Sequence, residues 1–525
     1  MSRYDVIVIG AGVNGLVAAA TLAKRGKRVV VLERRDVAGG TNATEEFHPG
    51  FRATACRDEP GWLPSTVVDD LGLARHGLTV VPAPGGLVGV SPDGPAMATY
   101  PDIGRTVDGL RPVSAVDAAR WGDFCAFTGR VAGFLQATYA ARPPRVQSRS
   151  LADLFALGGL GRRLRGYGRT AMMEILRAVP MPISDVGEEW FTHPALRALL
   201  AVQGTRDVLH GPFSGGTALV FMHQQVGRPV GAIGVTATPR GGGTALVEAV
   251  LAAARSSGTE LRLGAEVSGV IVKEGRARGV VLHTGEEVLA ANVLSTADPQ
   301  RSFSWIEPMW LDPALLAAVD RIRMRGATAR VLFALDGLPA FQSGGREVPR
   351  DAIGGTMILA PSVEAVEQAY DAAKFGGVPD SPALAVTFPT ITDPTLAPER
   401  RHVMAVTVQH VPYARTGGWD GAAATALGER VTQMLRPIAP DLADRMLARA
   451  VVTPADLEFR YGCTGGSLTH GELALDQFLF MRPVPGCARY AAPLPGFWLG
   501  GTGSHPASAA GAPGYLAARA LLDTR

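Results

Sequence analysis

Lysine is nearly missing from this sequence: Lys24, Lys27, Lys273 and Lys374 are the only four, and arginine carries the rest of the 51 basic charges. A chemistry that needs a lysine beyond residue 273 can draw only on Lys374. Cysteine is also scarce. Cys56, Cys125, Cys463 and Cys487 contain no C-x-x-C pair, which excludes the usual zinc spacing and a redox dithiol motif and leaves a buried free thiol as the expected role. No metal site is expected. The net charge is only +3, so charge gives no case for a nucleic-acid partner. No apolar run approaches the ~18 residues of a membrane span. Arg3–Asp5 is the wrong flank for a secretory leader, and Tyr4 already opens a strand. The chain is therefore expected to be cytoplasmic, with peripheral membrane contact left open.

What is present is a large globular composition. With 47% hydrophobic and 19% charged residues, wholesale disorder is excluded. The 525 residues exceed the roughly 250–300 at which single cores stop growing, so at least two domains are expected.

The N-terminal residues carry the clearest pattern. Residues 4–9 (YDVIVI) are apolar and β-branched, as in a strand buried on both faces. Gly10-Ala11-Gly12-Val13-Asn14-Gly15 follows at once, then an Ala- and Leu-rich helix to Arg25, a stop at Gly26, a second strand (KRVVVL) and Glu33 at its end. Gly10 permits the tight turn, Gly12 lets backbone approach a pyrophosphate, and Gly15 lets the helix pack close to the strand. The helix N-terminus offers free N–H groups and partial positive charge to phosphates. Glu33, 18 residues after Gly15, can accept both ribose hydroxyls. A glycine-rich turn alone is weak evidence, but strand, glycines, helix, strand and acid occur here in order, so a dinucleotide-binding unit is expected.

The next residues, Arg34-Arg35-Asp36-Val37-Ala38-Gly39-Gly40, bring a paired glycine after the acid, and Gly39-Gly40 lets a second backbone loop approach the cofactor. This E-R-x-x-x-x-G-G run resembles the flavoprotein superfamily of amine oxidases, phytoene desaturases and Rab GDP-dissociation inhibitors. Together, YDVIVIGAGVNGLVAAATLAKRG, LERRDVAGGTNATEEFHPGF and GTGSHPASAAGAPG look like the phytoene-desaturase-type family. They most resemble its branch with the oxygenase-type carotenoid ketolase and the pyridine-nucleotide-disulfide oxidoreductase domain-containing proteins. The resemblance covers nearly the whole chain and is strongest over 4–56 and 496–522. It departs at Val13, where His is frequent, at Thr41, where Arg or Ala is frequent, and at Ala507-Ser508-Ala509, where glycine is common.

The resemblance implies an FAD cofactor and an α/β (α+β overall) fold: a Rossmann-type FAD-binding domain with an inserted mixed-sheet and helical substrate domain. Two further segments would complete the FAD domain. Residues 239–254 (PRGGGTALVEAVLAAA) read as a glycine turn into an amphipathic helix with Leu246, Val250 and Leu251 on one face. Strands follow over 261–272, a hairpin pair over 276–289 and a short buried strand over 290–298. Val267, after the acid, would bind adenine through its backbone. At the C-terminus GFWLGG reads as a strand, with Gly501, Thr502, Gly511 and Ala512 leading into a last helix from Tyr515 to Leu522. In the superfamily this segment closes over the ribityl chain and pyrimidine edge. The implied cofactor set is Gly10, Gly12, Val13, Asn14, Gly15, Glu33, Arg34, Gly39, Gly40, Thr41, Val267, Gly501, Thr502, Gly511 and Ala512. The expected domains are 1–75, 239–298 and 491–525 for FAD, and 76–238 with 299–490 for substrate.

The substrate region is less legible. Residues 151–200 mix Leu154, Phe155, Leu157 and Leu160 with Arg162, Arg163, Arg165 and Arg169, then Met172, Met173 and Leu176. This reads as a solvated helix pair, weakened by Gly158, Gly159, Gly161, Gly166 and Gly168, with a membrane-surface helix as the alternative. His223, Arg240 and His210 are read as structural. His505, among glycines beside Pro506 in the segment expected at the flavin, is the one residue put forward as catalytic.

The chemistry implied is removal of two hydrogens from a C–C bond of a lipophilic, carotenoid-like substrate, with hydride passing to flavin N5 and oxygen or a quinone as acceptor. An unactivated alkyl group has no acidic proton, so a strong base is not required. Two rivals remain. An amine oxidase would want an active-site lysine and an aromatic cage, for which only Lys374 and Tyr490, Phe497 and Trp498 are available. A non-enzymatic lipid escort of the GDP-dissociation-inhibitor type would not need the intact glycines and Glu33.

Overall fold

The structure is a computed structural model and describes residues 4–144, 151–507 and 509–524, without the side chains of 151–154 and 156. Arg3, Ser508 and the Leu154 side chain, which entered the sequence reading, lie outside the described residues.

Two seven-stranded sheets organise the chain. In the first, Tyr4–Ile9 is central and buried except at Asp5, pairing in parallel with Val29–Leu32 on one side and with Glu287–Ser295 on the other. Val29–Leu32 then pairs in parallel with Glu260–Arg262, and Glu287–Ser295 with Phe497–Leu499. Residues near positions 4, 30, 260, 290 and 498 thus meet in one layer. The expected hairpin and the short strand after it form a single strand: Glu287–Ser295 pairs antiparallel with Arg276–Leu282 at its start and parallel with Tyr4–Ile9 further on. The boundary expected at 290 is absent because one extended segment serves two partners.

Three helices cover one face of this sheet. Val13–Ala23, Gly243–Ser256 and Ala512–Leu522 pool Leu16, Val17, Ala20, Leu246, Val250, Leu516 and Ala517 into one apolar cluster. Small residues let them approach closely. A Cβ on Gly15 would stand 1.9 Å from the Gly10 carbonyl oxygen, and one on Gly514 would stand 1.9 Å from the Asn14 carbonyl oxygen. Neither position tolerates a side chain, so the first and last helices are locked against the glycine turn.

The second sheet is mixed. Its order is Met446–Val452, Thr328–Leu335, His402–Gln409, Leu384–Thr387, Thr356–Leu359, Leu87–Ser91 and Gly94–Ala98, antiparallel except where Thr356–Leu359 meets Leu87–Ser91. Every residue of Thr328–Leu335 is buried. Val331 and Phe333 enter one apolar cluster, while Leu332 and Ala334 meet Phe51 and Ala53 from the hairpin Thr44–His48 and Phe51–Thr54 on the other side.

A helical layer packs against the second sheet. Ala115–Tyr139, capped by Ser114 accepting from the Asp117 N–H, packs Trp121, Phe124 and Leu135 against Phe191, Leu199 and Phe221. Gly158, Gly159 and Gly161 do not interrupt Leu151–Gly166, and the break comes at Gly168, whose φ is +85°. The next helix, Arg169–Ala178, leaves Met173 and Leu176 exposed, as Phe155 is on the preceding one. No helix among the described residues is long and apolar enough to cross a membrane.

Candidate functional site

The turn after the first strand opens onto a cleft of about 1360 Å³, counted out to its solvent mouth. Gly10, Gly12, Val13, Asn14, Glu33, Arg34, Gly39, Gly40, Thr41, Val267, Thr502 and Gly511 all line it. Three residues of the expected cofactor set, and the catalytic candidate His505, do not. Gly15 faces the Gly10 carbonyl, and Gly501 has its Cβ direction filled by the Thr296 carbonyl oxygen at 2.4 Å. Ala512 is the buried first residue of the last helix. His505 lies elsewhere, as described below.

Backbone builds most of this cleft. Glu33, 7% exposed, accepts from the Ala11 N–H at 2.7 Å through one carboxylate oxygen and from the Arg35 N–H at 3.0 Å through the other. It therefore pins the glycine turn as well as facing the cleft, and each oxygen keeps a lone pair. Asn14 donates to the Thr502 hydroxyl at 3.2 Å, tying the N-terminal turn to the C-terminal segment across 488 residues.

Two observations show that the cleft fits a dinucleotide. A Cβ on Gly12 would meet nothing of the protein within 4 Å, so the space above that backbone is left for a ligand. The Asn14 carbonyl oxygen Oδ1 is buried without a partner, a cost normally met by a ligand or water. The start of Val13–Ala23, with no side-chain cap on its free N–H groups, faces the same space.

A second cavity, of about 1320 Å³, adjoins the first, and Arg57, Glu59, Pro60 and Ala509 line both. Trp62, Leu63, Val68, Val220, Val226, Val235, Leu246 and Leu473 make it largely apolar. Polar groups gather where the two spaces meet. Arg57 pairs with Asp207 at 2.6 Å, while Arg206 and Arg228 hold Glu59 at 2.9 and 3.0 Å. Burial would raise the Glu59 carboxyl, but the Arg228 and Arg206 charges outweigh it and hold the group below the usual carboxylate range. Beside this network Arg330 pairs with Asp58.

His223 lines the second cavity, and its Nδ1 lies 2.9 Å from the Tyr139 hydroxyl. Burial, with the Arg57 and Arg482 charges, pushes its pKa down to about 3, so it is a neutral imidazole at physiological pH. His505, put forward from the sequence as catalytic, lies apart from both cavities. It is 1% exposed, lines neither cavity, and sets its ring 5.8 Å from that of Tyr139. Burial lowers it to about 4 against hydrogen bonding to the Thr138 and Ala141 backbone. His210 sits 3.5 Å from Glu472, and Arg240 is exposed; neither lines these cavities.

The four cysteines are free and buried. Burial pushes Cys56, Cys125 and Cys487 up to about 12 and Cys463 well above its ordinary value, so none is a thiolate at neutral pH. Lys374 lies on neither cavity; its ammonium is 5.9 Å from the Tyr370 ring centre. Tyr490, Phe497 and Trp498 are buried and form no cage on either cavity. Sequence reasoning missed Arg57, Glu59, Tyr139, Arg206 and Arg228. The only signal for the first two was a charged run, Arg57-Asp58-Glu59, shortly after the hairpin Thr44–His48 and Phe51–Thr54.

Comparison with known proteins agrees with this geometry. Residues 8–58 match the family model described as NAD(P)-binding Rossmann-like domain. Pyridine nucleotide-disulfide oxidoreductase domain-containing protein 2 of Rattus norvegicus is 32% identical, across 96% of this chain and 90% of its own length. Phytoene desaturase (neurosporene-forming) of Cereibacter sphaeroides is 26% identical across 98% and 93%. Among solved structures, cyclohexylamine oxidase of Brevibacterium oxydans superposes with a TM-score of 0.58 at 15% identity, covering 99% of this chain and 97% of that one, a likeness of fold.

Proposed function

Because the chain belongs to the family of pyridine nucleotide-disulfide oxidoreductase domain-containing protein 2 and is an oxidoreductase of the phytoene desaturase and amine oxidase superfamily, we propose that it uses FAD to dehydrogenate a C–C bond of a lipophilic, carotenoid-like or other apolar substrate. The observation that carries this reading is the apolar cavity that opens directly into the glycine-built cleft.

The cleft residues divide the work of holding FAD. The N–H groups at the start of Val13–Ala23 and the bare backbone at Gly12 and Gly39-Gly40 take the phosphates. Glu33 accepts ribose hydroxyls, and Val267 borders the adenine end. Thr502 and Gly511 bring the C-terminal segment to the other end. When bound, FAD supplies a hydride acceptor at N5. The protein's own part is then positional. Trp62, Val220, Val226 and Leu473 exclude water and orient an apolar chain beside the cleft. His223, neutral and hydrogen-bonded to Tyr139, adds no charge of its own to that wall. Oxygen or a quinone is the acceptor that completes the cycle. Exposed Phe155, Met173 and Leu176, near Arg162, Arg163 and Arg169, support contact with a membrane surface from which such a substrate would load. The position of Lys374 away from both cavities weighs against amine oxidation.

The test is the visible spectrum of the purified protein under anaerobic conditions. A flavin spectrum bleached by a lipophilic polyene alone is expected. Bleaching by NADPH alone would overturn the dehydrogenase reading in favour of a reductase or monooxygenase cycle.

A further inference from the structure

The wall between the two cavities holds more positive charge than its acids neutralise. Arg57, Arg206 and Arg228 face Glu59 and Asp207 there, and these five are the charged residues lining the second cavity among those described. Both acids are shared. Glu59 accepts from Arg206 and Arg228, and Asp207 serves Arg57 at 2.6 Å and Arg206 at 3.7 Å. Asp207 also accepts from the Thr328 hydroxyl at 3.2 Å. The neighbouring Arg330 is already matched by Asp58. One positive charge is left over.

Arg57 is the guanidinium that is incompletely used. Its Nε is buried with no hydrogen-bond partner, although its Nη2 meets Asp207. A buried charged donor without an acceptor is costly. The Thr469 hydroxyl, on the lining of the same cavity, is also buried without a partner. Arg482, fully buried nearby and bonded only to backbone carbonyls of Glu472, Gln477, Thr469, Gly471 and Thr502, adds to the positive field felt at His223. The rest of the cavity is apolar, so an isolated inorganic anion would leave most of it unfilled.

We propose that the substrate of this site is an amphiphile with a single carboxylate, which Arg57 takes in fork geometry while its apolar chain fills the cavity. This rests on the reading of the second cavity as the substrate site. A monocarboxylate balances the one unmatched charge, whereas a phosphate monoester dianion overcompensates it. The planar guanidinium suits a carboxylate through two parallel hydrogen bonds.

The experiment is calorimetric titration of the flavin-loaded protein with dodecanoate, dodecanol and dodecyl phosphate, each below its micelle concentration. Dodecanoate should bind about tenfold more tightly than dodecanol, and no more weakly than dodecyl phosphate. The preference should shrink with added salt and fall toward unity in Arg57→Gln, with part restored in Arg57→Lys. Equal affinity for dodecanoate and dodecanol overturns the carboxylate inference and leaves the apolar cavity reading intact. Clearly tighter dodecyl phosphate overturns the carboxylate assignment. A preference unchanged in Arg57→Gln overturns the role of Arg57. If Arg57→Gln does not fold, the head-group comparison on the native protein decides alone. Binding of none of the three overturns the substrate-cavity reading, and this inference with it.

Discussion

The two adjoining cavities are made of different material. The nucleotide cleft is backbone: glycines, a helix start and the main chain at Val267, with Glu33 tying Ala11 and Arg35 together. The second cavity is side chain: Trp62, Tyr139, Val220, His223 and an arginine–carboxylate network drawn from three separated segments. A backbone site depends on residues that must be absent, so its weak points are positions where a Cβ intrudes. A side-chain site depends on charges and volumes that must be present, so its weak points are losses.

The largest effect is expected where the side-chain region loses a buried charge. Glu472, 0% exposed, precedes Leu473 on the cavity wall and holds Arg323 at 2.8 Å and Arg325 at 2.7 Å. Burial would raise its pKa, but hydrogen bonds with His210 and Arg325 bring it down to about 2. Removing one member of a buried ion cluster leaves the others uncompensated, so Glu472→Gln should cost about 3–5 kcal/mol in chemical denaturation.

Acid should act next, through the buried imidazoles. Burial lowers His223 to about 3, and His410 and His505 to about 4, from an ordinary 6.5. Below that ordinary value the unfolded chain binds protons that the folded chain refuses. Stability is therefore present above about pH 6.5 and lost as pH falls toward 4. A urea midpoint that stays flat over this window would contradict the burial of these rings.

The glycines separate fold from ligand within the backbone region. Gly15→Ala drives a Cβ into the Gly10 carbonyl and should destabilise by about 1–3 kcal/mol, with loss of cofactor retention. Gly12→Ala places its Cβ in open space at an ordinary φ of −70°. It should leave the unfolding free energy within about 0.5 kcal/mol of the native value while weakening FAD binding by about tenfold. If Gly12→Ala unfolds the protein, or Gly15→Ala is silent, the division between packing glycine and ligand glycine is wrong.

The same difference explains what the sequence revealed. The nucleotide cleft was legible because backbone requirements leave short, ordered signatures: Gly10, Gly12 and Gly39-Gly40 at fixed spacing after a β-branched strand, and Glu33 at the end of the next. The C-terminal closure was legible at Thr502 and Gly511 for the same reason. The second cavity was not, because Arg57, Tyr139, Arg206 and Arg228 have no shared period and meet only through the tertiary fold. The position of His505 was not legible, because its neighbours in sequence are cleft residues while its ring packs beside Tyr139 at the end of a helix far along the chain. The single strand Glu287–Ser295 was divided at 290 because one segment changes partners without changing composition.

FAD binding by the glycine cradle is the claim on which the rest depends, and direct stoichiometry tests it. The native protein and Gly12→Ala would be reconstituted with excess FAD, desalted, and assayed for bound flavin by absorbance after denaturation. The account predicts one FAD per native chain and weaker retention in a Gly12→Ala chain that is still folded. A folded native chain that retains no FAD would contradict it.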